Sequence, residues 1–285
     1  MRERLATQAA VFTLMRQYDI HPVKARGQNF LTDPRVAEKM ADSARISRDD
    51  CVIEIGPGLG ALTQVLAEKA AAVLALEIDR NLTEILKDLF AGDSRVEIIQ
   101  GDILKTNMKA LMGERGWASA KLAANLPYYI TTPIIMGLLE SRCPISRMSV
   151  MVQREAAERL TAKPGGKEYG ALSLAASYFT DVGLYANVPR NCFFPRPNVD
   201  SAIVTLDIYG DKGDVDNEET FFNCVRAAFG QRRKTLVNCL RSQDWIDKDR
   251  YELTELLKSC GFDEKIRGET LSLEDFKRLA RRLNA

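Results

Sequence analysis

Chemistry concentrates in the tetrapeptide Asn125-Leu126-Pro127-Tyr128, which follows the apolar run Lys121–Ala124. The exocyclic amine of adenine is a poor nucleophile because its lone pair is delocalised into the ring, so it must be oriented rather than merely deprotonated. The side-chain oxygen of Asn125 and the carbonyl of Leu126, exposed by the turn that Pro127 enforces, can accept both amine hydrogens and turn the lone pair toward an electrophile. Tyr128 can stack on the base. A methylated ammonium sheds its proton readily, so no general base is needed, which suits a chain whose single histidine, His21, precedes a proline. Taken alone, the stretch reads equally well as a strand end that makes a turn.

A second group of residues describes a nucleoside site. The apolar run Cys51–Ile55 leads into glycines at Gly56, Gly58 and Gly60 and then into a helical pattern. Glycines belong where a backbone turns sharply and lies close to a ligand. Glu77 ends the next apolar run, where a carboxylate accepts hydrogen bonds from both hydroxyls of a ribose. The segment Gly56-Pro57-Gly58-Leu59-Gly60-Ala61 also satisfies the dinucleotide fingerprint, which keeps a nicotinamide-dependent dehydrogenase open on this motif. Two acids favour S-adenosylmethionine instead: Glu54 within the first run, and Asp102 in Gly101-Asp102-Ile103 after the third. Asp102 is placed to take the amino group of the cofactor's adenine. Ile78, Ile103 and Asn125 complete this cofactor set.

The elements that must position these residues follow from hydrophobic patterning. Apolar runs at Cys51–Ile55, Ala72–Glu77, Val96–Ile99, Lys121–Ala124 and Met148–Val152 alternate with helical stretches at Ala61–Ala70, Asn81–Phe90, Pro133–Glu140 and Glu155–Thr161. That alternation predicts a doubly wound α/β domain with a mostly parallel sheet. Tyr178–Val188 and Ala202–Tyr209 are expected to complete seven strands with an antiparallel edge. The polar segment GDKGDVDNEE after Tyr209 is the expected linker, dividing a Rossmann-like domain (1–209, with an N-terminal helical extension) from a small all-helical domain (210–285). From Thr220 onward the apolar spacing predicts about four short helices.

Composition narrows the class. At 46% hydrophobic and 28% charged residues, the chain reads as an ordinary globular protein with no apolar span of membrane length. Its six cysteines are scattered, without the close pair of a zinc knuckle or redox motif, so no metal is expected and reduced cytosolic thiols are. Net charge is only +1, but Val225–Gln243 carries five basic residues and no acidic one. Such a run is as readily a solvated surface as a nucleic-acid contact.

Together these motifs resemble the ribosomal RNA adenine N6-dimethyltransferases, and within them the bacterial small-subunit branch. The resemblance spans nearly the whole chain: Gly27-Gln28-Asn29-Phe30-Leu31, Glu54–Gly60, Glu77, Gly101-Asp102, Asn125–Ile130, Gln153-Arg154-Glu155, Tyr169-Gly170 and Phe193-Phe194-Pro195-Arg196-Pro197-Asn198-Val199-Asp200-Ser201. It implies that Gln28, Asn29 and Leu31 help cover the cofactor and that Phe193 stacks on the target adenine opposite Tyr128, a sandwich suited to an extruded base. It also implies that the basic helix Phe229–Leu236, with Arg232, Arg233 and Lys234, meets RNA phosphates. The implied reaction puts two methyl groups on each of two adjacent adenosines in the 3′-terminal hairpin loop of 16S rRNA, in the small ribosomal subunit or its precursor. A cytoplasmic monomer without a membrane partner is expected. A sister branch methylates large-subunit RNA; Thr131-Thr132-Pro133, the N-terminal extension and Tyr169-Gly170 resemble the small-subunit enzymes instead. A non-catalytic RNA-binding assembly factor is the remaining alternative, and it could afford to lose Asn125-Leu126-Pro127-Tyr128.

Overall fold

The strands of the first unit are built from residues that bury both faces. Fully buried Val52, Ile53, Leu74, Leu122 and Met148 sit on strands covered by helices, which explains why these strands read as continuous apolar runs rather than alternating ones. The computed structural model describes residues 4–23, 27–209 and 215–284. The chain divides into two compact units, Met1–Ala157 with Asp181–Ile208, and Glu158–Thr180 with Tyr209–Ala285.

In chain order the first unit holds helix α1 (Gln8–Gln17), strand β1 (Phe30–Leu31), α2 (Pro34–Ser43), β2 (Cys51–Ile55), α3 (Ala61–Lys69), β3 (Ala72–Glu77), α4 (Arg80–Phe90), β4 (Val96–Gln100), α5 (Met108–Glu114), β5 (Ala120–Asn125), α6 (Thr131–Glu140) and β6 (Ile145–Gln153). After α7 (Arg154–Leu160) and α8 (Ala171–Phe179), β7 (Thr180–Val188), β8 (Phe193–Phe194) and β9 (Ser201–Ile208) return to it. Among the described residues, seven strands form one sheet in the order β4-β3-β2-β5-β6-β9-β7, and β1 pairs with β8 in a separate two-stranded sheet. The first five are parallel, and β9 joins antiparallel to β6 with Val150 opposite Val204. The chain builds outward from β2 through β3 to β4, then crosses back to place β5 on the other side of β2. That reversal opens a crevice at the carboxyl ends of β2 and β5, where ligands sit in open α/β sheets.

Local signals set the helix starts. Asp79 caps α4 by accepting from the N–H groups of Asn81 and Leu82, Thr7 caps α1 through Ala10, and Asp33 precedes Pro34 in the first turn of α2. The apolar face of α1 presents Val11 and Leu14 to Phe30, Leu59 and Leu82.

The second unit holds α8 together with α9 (Glu218–Gly230), α10 (Leu236–Arg241), α11 (Arg250–Ser259) and α12 (Leu273–Asn284), the four helices expected at the C-terminus plus one. The second unit resumes at Tyr209, one residue from the expected boundary, but the expected division needs correction because residues 158–180 also belong with the C-terminal helices. The cause is aromatic burial: Tyr178 stacks on Phe221 with ring centroids 4.8 Å apart, and its hydroxyl donates to Glu218 at 2.6 Å. Tyr178 and Phe179 therefore end a helix, and the strand expected from Tyr178 starts at Thr180. Residues 210–214 of the expected linker lie outside the described residues.

Candidate active site

The crevice between β2 and β5 is a cavity whose wall carries Gln28, Asn29, Leu31, Gly56, Gly58, Glu77, Ile78, Asp102, Ile103 and Asn125, all expected at the cofactor. Gly56 and Gly58 take φ of +68° and +59°, a left-handed backbone that excludes most side chains. A Cβ on Gly58 would also press on the Phe30 ring at 3.3 Å. Gly60 behaves differently. It does not line the cavity; it starts α3 with φ of +78°, and a Cβ there would lie 2.8 Å from Phe90. Its role is close packing of the turn on α4.

The acids are held by backbone donors. Glu77 is buried; its Oε2 accepts from the Gly58 N–H at 3.2 Å and its Oε1 from the Asp79 N–H at 2.9 Å. Burial nonetheless raises its carboxyl above the usual range, with those N–H groups pulling it back. Asp102 accepts from the Leu104 N–H at 3.0 Å and keeps Lys105 3.9 Å away. Glu54, 1% exposed at the end of β2, also lines the cavity, and burial pushes its carboxyl up to about 8. Among the described lining residues there are three carboxyls and no Lys, Arg or His, so the cavity favours a ligand with positive charge.

Two residues of the cavity wall each keep a buried oxygen without a hydrogen-bond partner, Oδ1 of Asn125 and Oε2 of Glu54. The Asn125 amide nitrogen is held by the Asn29 carbonyl at 3.4 Å, which turns Oδ1 away from it. An unsatisfied buried acceptor costs roughly 1–3 kcal/mol, so a ligand that donates to it is rewarded. Gln28 is fixed from two sides, accepting from the Val23 N–H at 2.8 Å and donating to Asp79 at 3.4 Å. The set of acceptor oxygens and the glycine cradle fit S-adenosylmethionine.

Comparison with known proteins places this geometry. The description that matches residues 23–283 is ribosomal RNA adenine dimethylase. The chain belongs to that family. It is 45% identical over 284 residues to a protein of Clostridioides difficile (strain 630) named ribosomal RNA small subunit methyltransferase A, covering 99% of this chain and 98% of the relative. Two solved structures share the fold: a dimethyladenosine transferase from Plasmodium falciparum (TM-score 0.75, 28% identity, covering 89% of this chain and 97% of that one) and the 23S rRNA methyltransferase ErmE (TM-score 0.70, 25% identity, covering 90% and 100%). The protein is therefore a ribosomal RNA adenine methyltransferase on a Rossmann-like sheet, and the dehydrogenase reading falls.

The remaining expected residues of this dimethylase are placed as follows. Leu126 is buried and donates its N–H to the Met151 carbonyl at 3.0 Å, which anchors the tetrapeptide to β6. Tyr128 is half-buried in a single 3-10 turn, its hydroxyl 2.7 Å from that of fully buried Ser201. Burial raises the Tyr128 phenol, with Ser201 opposing. Phe193 is not on the cavity wall. Only 4% exposed, it pairs through its backbone with Leu31 and packs in the apolar cluster of α2 and α3. In this conformation its ring supports the segment bearing Leu31 and offers no free face. Arg232, Arg233 and Lys234 are exposed, but the expected basic helix is corrected to a turn: α9 stops at Gly230, and the Lys234 N–H closes on the Gln231 carbonyl at 2.8 Å. Arg232 is engaged by Glu269 at 3.2 Å and by the Lys167 carbonyl at 3.1 Å.

Phe30, Leu82, Ile134 and Met151 also line the cavity, as does Tyr129, which is exposed at the residue after the tetrapeptide. Sequence reasoning gave them no role because Leu82, Ile134 and Met151 sit in ordinary apolar patterns; only Phe30 and Tyr129, which lie within quoted motif segments, carried a signal. Among the described residues no helix is long and apolar enough to cross a membrane, and no His/Cys/Asp/Glu group is arranged to hold a metal ion.

Proposed function

We propose that this methyltransferase uses S-adenosylmethionine to dimethylate N6 of two adjacent adenosines in the 3′-terminal hairpin loop of 16S rRNA, in the cytoplasm, within the small ribosomal subunit or its precursor. The observation that carries the reading is the unpartnered Oδ1 of Asn125, at the topological switch point beside an acid-lined cavity. The cofactor, when bound, supplies a methyl group activated by a sulfonium.

The chain's own residues then orient and exclude. Glu77 takes the ribose hydroxyls, Asp102 the cofactor's adenine amine, and Gln28, Asn29, Leu31, Ile78 and Ile103 cover the bound nucleoside. Oδ1 of Asn125 and the Leu126 carbonyl accept the two hydrogens of the target amine, so its lone pair points at the methyl group. Pro127 lacks an N–H and cannot compete for those acceptors. Tyr128, tied at its hydroxyl to Ser201, supplies a stacking face. Phe193 reaches the base only by leaving its packing, and Arg233 and Lys234 are exposed cations available to phosphate.

The small-subunit substrate is favoured over the large by 45% identity to a protein named for the small subunit, against 25% to the 23S rRNA methyltransferase. Incubation with labelled methyl donor and unmethylated small subunits, followed by mapping, is expected to place label at two adjacent adenines. Label in large-subunit RNA, or none at adenine, refutes the assignment. Asn125→Ala is expected to lose turnover by a far larger factor than cofactor affinity; equal loss of both would make Asn125 a scaffold residue.

A further inference from the structure

Glu54 is the group in the cavity that this reaction leaves unexplained. Glu54 lines the site, and its Oε2 is buried without a hydrogen-bond partner. On β2 it is flanked by Ala75 of β3 and Ala123 of β5, which bring no polar side chain. From α3 it faces Thr63, whose fully buried hydroxyl also lacks a partner, and from the end of β3 it feels Glu77. Asp102 and Tyr129 line the same cavity, while α2, α6 and β6 contribute Met40, Ile134 and Met151. Among the described lining residues none carries a positive charge that would hold Glu54 ionised. An isolated buried carboxylate is expensive, and such a group keeps its proton instead. Burial raises this carboxyl to about 8; Thr63 tempers the rise without reaching hydrogen-bond geometry, and Glu77 adds to it.

We propose that Glu54 meets the positive charge of the methyl donor and gives up one proton to solvent as it does so, making cofactor binding a proton-releasing step. The inference rests on the S-adenosylmethionine reading of the cavity. The carboxyl O–H bond breaks, its proton passes to buffer, and the carboxylate remains against the bound cation. No other bond changes. Glu54 thereby favours ligands that bring a positive charge over uncharged nucleosides of the same shape, because only a cation repays ionisation in a dry site.

The test is isothermal titration calorimetry of the whole protein with S-adenosylmethionine in two buffers of different ionisation enthalpy. At about pH 6.5, an α-amino group with an ordinary value of roughly 7.7–8.0 stays protonated and contributes little. The dependence of heat on buffer is expected to report close to one proton released. Affinity is expected to rise by about tenfold per pH unit between roughly pH 6 and 7.5. Glu54→Gln, which imitates the neutral acid, is expected to abolish the proton release. Binding without proton release in the wild-type protein, or undiminished release in a folded Glu54→Gln, overturns the inference and leaves the cofactor reading intact. No binding of S-adenosylmethionine at all overturns that reading and this inference with it. The wild-type measurement stands alone if the variant does not fold.

Discussion

Substituting alanine for each of two glycines separates a packing role from a cradle role within one turn. Gly56 and Gly60 both have left-handed backbones, at φ of +68° and +78°, so each alanine bears a penalty of about 1–2 kcal/mol. Loss of unfolded-chain freedom returns about 0.4–1 kcal/mol in both cases. The surroundings then differ. A Cβ on Gly56 finds its nearest neighbour, the Asn125 carbonyl oxygen, 3.9 Å away. On Gly60 it falls 2.8 Å from Phe90 Cε2 and 3.2 Å from Leu86 Cδ2, both buried side chains of α4 that cannot yield into solvent. Overpacking of this kind adds about 1–3 kcal/mol. Gly60→Ala is therefore expected to lose about 2 kcal/mol more than Gly56→Ala in urea unfolding followed by circular dichroism. Cofactor affinity is expected to reverse the order, because only Gly56→Ala projects a methyl group into the cavity wall. Equal destabilisation of the two, or a tighter-binding Gly56→Ala, would refute the division of roles.

Three further perturbations test other parts of the site. The Glu54 carboxyl lies near 8 when folded against an ordinary 4.5, so the stability due to its retained proton is complete below 4.5 and drains away as pH rises toward 8. At about 1.4 kcal/mol per pH unit, Glu54→Gln is expected to gain roughly 3 kcal/mol on the wild type between about pH 4.5 and 7, and parallel urea midpoints across that range would disprove it. Tyr128→Phe and Ser201→Ala each strand a buried partner and are expected to cost about 1–3 kcal/mol, whereas the double variant costs less than their sum; strict additivity would show that the 2.7 Å pair is not coupled. Arg233→Ala and Lys234→Ala are expected to change stability by less than about 0.5 kcal/mol and to make small-subunit binding less salt-dependent, and an unchanged salt slope removes them from the RNA interface.

The cavity lining was largely legible because its signals are local. A strand that must be buried on both faces is a run of apolar residues, a turn that must pass close to a ligand is glycine, and the acids follow at the ends of successive strands. Gly56, Gly58, Glu77, Asp102 and Asn125 accordingly stand on one wall. The target-base half was less legible. Phe193 resembles a stacking residue by motif, yet whether its ring is free depends on Leu31 and on the α2 and α3 residues of its cluster, more than 100 residues away in the chain. Helix α8 escaped notice because ALSLAASYF is apolar on most sides and carries no helical stripe.

The amino-acid sequence alone determined the alternation of the parallel strands with most of their helices, the glycine turn, the acids after it and the Asn125-Leu126-Pro127-Tyr128 motif, since each depends on residues within a few positions of itself. Only the tertiary structure decided which of those groups share a cavity, that Gly60 packs rather than cradles, and that residues 158–180 join the C-terminal helices. It likewise decided that Asn125 and Glu54 each keep one buried oxygen without a partner. Burial, pairing and ionisation are set by whatever the fold brings alongside a side chain, and those neighbours come from distant parts of the sequence.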